Sequence, residues 1–139
     1  MTDTYKKTYK KLADHLDALP EGFPSTESGV EIRILKQLFT PDEAEIATGL
    51  TMMLEPVSAI ARRLGKEESE LAPILETMSG KGLIFRATKK GRRLFMASQF
   101  VVGIWEYHVN DLDETLVKDF NEYAPHLING AGTPTKPNS

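Results

Sequence analysis

A mainly α fold with a small β-hairpin, a winged helix-turn-helix with extra N- and C-terminal helices, is predicted by three features of the 139 residues. From Pro56 to Leu64 apolar residues recur at helical spacing, and Gly65 follows, the residue that most cheaply takes the left-handed turn past a helix end. A second helical period, Leu71, Ile74, Leu75 and Met78, has Ser69 placed to cap it and closes on Ser79-Gly80-Lys81-Gly82. Two apolar runs, Leu83 to Ala87 and Leu94 to Ala97, then flank Thr88-Lys-Lys-Gly-Arg-Arg93, where Gly91 supplies the positive dihedral of a tight hairpin. That hairpin is expected to pack beside the helix around Ile74.

The remaining elements follow in chain order. Tyr5, Tyr9, Leu12, Leu16 and Leu19 make one stripe of a helix ended by Pro20, with the lysines at 6, 7, 10 and 11 largely off that stripe. Ser28 and Glu31 have capping-box spacing and open a helix through Phe39 with Val30, Ile34, Leu35 and Leu38 inward. Thr40-Pro41-Asp42-Glu43 repeats the box with proline at the first helical position and acids that complement the helix dipole, and its helix runs to about Thr48. Thr51 to Leu54 reads as a short strand completing the sheet, with a plain apolar loop as the alternative. Asp111 and Glu114 form another box, followed by a stripe of Leu112, Leu116, Phe120 and Tyr123 up to Pro125. The Gly- and Pro-rich end has too little apolar content to pack, so residues 1–128 are expected to form the domain and 129–139 a flexible linker or tail.

Composition limits what the chain does. With 40% hydrophobic and 27% charged residues it is one ordinary globular domain, and no apolar run is long enough to span a bilayer or serve as a signal peptide, so a cytoplasmic location without membrane attachment is expected. The chain has no cysteine, hence no disulfide and no thiolate for zinc, iron-sulfur ligation or nucleophilic catalysis. His15, His108 and His126 fall on separate elements without metal-ligand spacing, and no phosphate-binding glycine loop or nucleophile elbow is present. Neither a catalytic residue nor a cofactor or metal ligand is therefore assigned.

Two sets of residues are candidates for interaction. Lys89, Lys90, Arg92 and Arg93 at the hairpin tip, with Arg62 and Arg63 ending the preceding helix, have a DNA-binding or anionic-partner arrangement. Against DNA stand the net charge of −3 and Lys66-Glu-Glu-Ser-Glu70 at the start of the would-be recognition helix, where acids would meet phosphate with repulsion. The plain alternative for the tip is a solvated hairpin end. The second set is Tyr5, Tyr9, Leu12 and Leu16, a stripe able to dimerise or bind a partner, together with Trp105 and Tyr107 in the apolar run from Phe100 to Val109. For both parts, packing into the domain's own core is the weightier reading.

Four segments carry a family resemblance: Gly22-Phe-Pro-Ser-Thr-Glu-Ser-Gly-Val-Glu-Ile-Arg-Ile-Leu-Lys-Gln-Leu-Phe-Thr-Pro-Asp-Glu-Ala-Glu45, Ile60-Ala-Arg-Arg-Leu-Gly65, Lys81-Gly-Leu-Ile-Phe85 and Met96-Ala-Ser-Gln-Phe-Val-Val-Gly-Ile-Trp-Glu106. Together they resemble the N-terminal region of a family of prokaryotic ferredoxin-type iron-sulfur proteins. The middle two alone would fit winged-helix regulators similar to the MarR or ArsR families. The resemblance implies a C-terminal part with cysteine motifs for four-iron four-sulfur clusters and an electron-transfer role for the whole. No cluster ligand carries over, because this chain has no cysteine. Either the chain is an excised N-terminal domain or the cluster part is lost; excision is the preferred expectation, giving a non-catalytic module that binds a redox protein or its own cluster domain, with a DNA-binding regulator as the alternative.

Overall fold

The computed structural model describes residues 2–105, 108 and 113–132. It is mainly helical with one three-stranded antiparallel sheet: α1 (Thr2–Ala18), α2 (Val30–Leu38), α3 (Pro41–Thr48), β1 (Glu55–Pro56), α4 (Val57–Leu64), α5 (Glu68–Gly80), β2 (Ile84–Lys89), β3 (Arg92–Ala97), a π-helical turn (Phe100–Trp105) and α6 (Glu114–Gly132). The sheet order is β1-β3-β2, with Glu55 opposite Phe95 and Lys89 opposite Arg92.

Helix α1 packs on α2 and α3, and α2 packs on α6. The stripe of α1 turns inward: Tyr9, Leu12 and Leu16 are buried and Tyr9 donates to the Phe39 carbonyl at 2.6 Å, whereas Tyr5 is exposed. Val30, Ile34, Leu35 and Leu38 line the inner face of α2 as their spacing requires. The Thr40 box forms in full: the Glu43 amide donates to Thr40 Oγ1 at 3.2 Å and the Thr40 amide to Glu43 Oε1 at 2.9 Å. Buried Glu43 also takes Lys81 Nζ at 2.7 Å, which ties α3 to the end of α5.

Several boundaries differ from the sequence reading. Ser28 does not build a box with Glu31. Gly29, at φ 74°, is the N-cap of α2, and the buried Glu31 carboxylate accepts instead from the amide and hydroxyl of Thr26, at 3.2 and 2.7 Å. Ser28 Oγ accepts from the Val30 amide at 3.3 Å and donates to Glu122 on α6 at 2.8 Å. Helix α5 begins at Glu68 with Glu67 as N-cap, so Ser69 lies inside the first turn and Pro73 well within the helix. Leu71, Leu75 and Met78 are its fully buried residues, while Ile74 is only half-buried, so the core contact sits on their side of the helix. The first strand is Glu55–Pro56 rather than Thr51 to Leu54, although Thr51 lends its carbonyl to the Ala97 amide at 2.7 Å.

At the C-terminal end, Asp113 caps α6 by accepting from the Leu116 amide at 2.7 Å; Asp111 and Leu112 lie outside the described residues. The helix continues through Pro125 to Gly132, beyond the boundary expected at residue 128. Buried Tyr123, whose hydroxyl donates to the Pro24 carbonyl at 2.6 Å, and Leu127, packed against the core, hold the helix on both sides of the proline. Residues 133–139 of the expected linker are outside the described residues.

Candidate interaction surface

The hairpin turn needs only two residues. Lys90 and Gly91 both have positive φ, 51° and 77°, so strands β2 and β3 run further toward the tip than their apolar residues suggest and Lys89 and Arg92 become strand residues. Period two then sorts the side chains into faces. Ile84, Phe95 and Ala97 are buried on the face toward the helices; Phe85, Ala87, Lys89, Arg92, Leu94 and Met96 share the other.

The six candidate cations divide into two groups. Arg63 lies in the last turn of α4, where Gly65 at φ 68° ends the helix, and its guanidinium holds Glu55 at 2.7 and 2.9 Å while its Nε donates to the Gly49 carbonyl at 2.9 Å. The Arg63 hydrogen bonds hold the Glu55 carboxyl below its usual range, and the same pairing raises the Arg63 guanidinium. Arg93 is on the helix-facing side of β3: its Nε meets Glu76 Oε2 at 2.7 Å and its Nη1 meets Thr88 Oγ1 at 2.7 Å. Arg86, outside the basic cluster of the hairpin tip, reaches Glu76 Oε1 at 3.1 Å, so one α5 carboxylate fastens two strands. The residues at 86 and 93 fall on the same face of the hairpin, and that register is the signal that would have found them. Arg62, Lys89, Lys90 and Arg92 are exposed and have no ion-pair partner among the described residues.

Residues 66–70 at the start of α5 are all exposed, so Glu67, Glu68 and Glu70 present carboxylates to solvent at the helix N-terminus, where the dipole favours them. The apolar candidates fare differently. Tyr9, Leu12 and Leu16 belong to the core and are withdrawn as a partner surface. Trp105 is half-buried and stacks on Phe120 at 3.8 Å between ring centroids and 9° between planes, joined to Phe23, Phe100 and Tyr123 in one aromatic cluster. It anchors α6. Tyr107 lies outside the described residues.

The run from Phe100 winds as a π-helical turn because Ile104 donates to Gln99, five residues back, at 3.0 Å, and Gly103 sits so close to Ser98 that a Cβ would fall 2.8 Å from the serine Cβ. This explains why the run shows neither period.

A broad surface cleft of about 620 Å³ opens between α1, the end of α2 and the end of α5, lined in part by Tyr9, Lys36, Lys81, His108 and Asp113. Its Tyr9 hydroxyl is engaged with Phe39 and its Lys81 ammonium with Glu43. Burial, and after it Glu43, pushes the Tyr9 phenol up, which keeps it a protonated donor. No group of three or more His, Asp or Glu residues among the described residues converges as a metal site, and with no cysteine in the sequence these residues do not fit an iron-sulfur cluster. No helix among the described residues is long and apolar enough to cross a membrane. No family model, curated protein or solved structure matches the chain.

Proposed function

We propose that this chain is a non-catalytic winged-helix module that recognises a protein partner, with its resemblance to ferredoxin-type N-terminal regions pointing to an iron-sulfur electron carrier as the machinery it serves. The succession α3, β1, α4, α5, β2, β3, with the hairpin packed on α5, supports the winged-helix assignment. One observation carries the choice of protein over DNA. The exposed start of α5 offers Glu67, Glu68 and Glu70 where a reader would offer donors to base edges, and two of the six candidate cations, Arg63 and Arg93, are spent on Glu55 and Glu76. A cytoplasmic setting belongs to the same proposal.

The second reading, a DNA-binding regulator resembling the MarR or ArsR families, draws on the unpaired Lys89, Lys90 and Arg92 at the tip. Fluorescence anisotropy with labelled duplex separates the two. Under the protein-binding reading, random duplex at physiological salt binds no tighter than about 0.1 mM. Sequence-selective nanomolar binding to a palindromic site overturns it.

A further inference from the structure

We infer that the outer face and open edge of the hairpin are a docking strip for an extended acidic segment of a partner protein, which adds to the sheet as a strand beside β2. This rests on the protein-binding reading above and names where, and by what chemistry, the partner is held.

The edge comes first. Strand β2 lies at the end of the sheet order, and no strand among the described residues pairs with its far side. In a two-residue hairpin the residues flanking the turn exchange hydrogen bonds, so Lys89, Ala87 and Phe85 bond to β3. The alternation turns the amides and carbonyls of Ile84, Arg86 and Thr88 outward. The Ala97 amide, opposite Ile84, obeys the same alternation by donating away from β2 to Thr51. An added strand would find three residues' worth of backbone donors and acceptors there.

The face supplies selectivity. Phe85 is 54% exposed, uncommon for a large aromatic, and it stands beside half-buried Met96, with Leu94 and Ala87 in the next row. Lys89, Lys90 and Arg92 follow at the tip, cations with no ion-pair partner among the described residues, in a chain whose net charge is −3. The strip therefore reads apolar, then cationic, along one face. A segment with an apolar side chain beside Phe85 and a carboxylate beside Lys89 complements it. A second copy of this chain does not, because β2 paired antiparallel about Arg86 would set that guanidinium against its own counterpart, and β2 paired parallel in register would set Lys89 against Lys89 as well.

The probe is a blocked peptide whose one face carries valines followed by aspartates, Val-Thr-Val-Thr-Asp-Thr-Asp or the reverse order for the opposite strand direction, titrated into the 15N-labelled chain, with its Lys and Val counterpart, Lys replacing Asp, as control. The expected result is a dissociation constant of roughly 0.1 to 1 mM, shift changes concentrated at Ile84, Arg86 and Thr88, and slowed amide exchange there. Binding should weaken about tenfold in the triple variant Lys89→Glu, Lys90→Glu, Arg92→Glu, and comparably in Phe85→Thr, both at surface positions where the melting temperature reports an intact fold. Equal binding of the Lys and Val peptide, shifts centred elsewhere, no shifts at several millimolar, or self-association through these amides would each overturn the inference. So would random duplex perturbing the same amides at lower concentration than the peptide. Tight palindrome binding in the anisotropy experiment would instead remove the wider reading on which this one stands.

Discussion

Arg93 and Glu76 meet at 2.7 Å across the gap between β3 and α5, so a cation that a linear reading places at the hairpin tip for a partner is committed to holding the hairpin against its own helix. The same carboxylate receives Arg86 at 3.1 Å. Glu76 thus adds a polar clasp to the burial of Ile84, Phe95 and Ala97 that orients the hairpin, and with it the strip on its far face.

Glu76→Ala is therefore expected to cost about 1 kcal/mol or less, since the pairs are partly exposed and solvent screens them. It should also release two guanidinium groups, so that binding of random duplex rises and its salt dependence steepens by about two phosphate contacts. A urea titration and anisotropy at two salt concentrations check both halves. Unchanged duplex binding would mean the arginines find other partners.

Lys90 pays for its position, because a side chain other than Gly, Asn or Asp is strained at φ 51°. Lys90→Asn should stabilise the domain by roughly 0.5 to 1 kcal/mol, raising the melting temperature by a few degrees. The same change removes one cation from the strip and should weaken the acidic peptide slightly. Calorimetry on the variant measures the first effect and the peptide titration the second.

His15 is half-buried, its Nε2 has no hydrogen-bond partner among the described residues, and burial holds the ring below its usual pKa against an opposing contribution from the Leu50 backbone. Above the unfolded value near 6.5 the ring is neutral in both states and adds no pH dependence. As pH falls below that value the unfolded chain takes the proton first, so stability drops, and the drop ends below the folded pKa. His15→Leu should thus show a growing advantage over the parent between about pH 7.5 and pH 5.5 in urea midpoints. Parallel curves would place the titration elsewhere.

The parts of the fold that were legible in the sequence are those whose hydrogen bonds close locally. Thr40 and Glu43 satisfy each other within one turn, and Gly65 ends α4 by its own backbone freedom. Misreadings arose where a distant partner intervened. Glu31 has the right spacing to answer Ser28 but is claimed by Thr26, and Pro125 carries the local mark of a helix end yet is overridden by burial of Tyr123 and packing of Leu127 around it. The site was half legible. Its cations were visible as a cluster, but sorting them into paired and unpaired needed the strand register, and so did the outward face of Phe85 within its apolar run.

Strand β1 is two residues long, and one of them, Pro56, has no amide hydrogen to offer. The sheet is thereby blunted on that side and open past β2, so strands add in one direction only. Copies of this chain have one usable edge each and cannot stack edge to edge in a continuing row, and any further growth would have to proceed on the outer edge that the guest strand itself supplies.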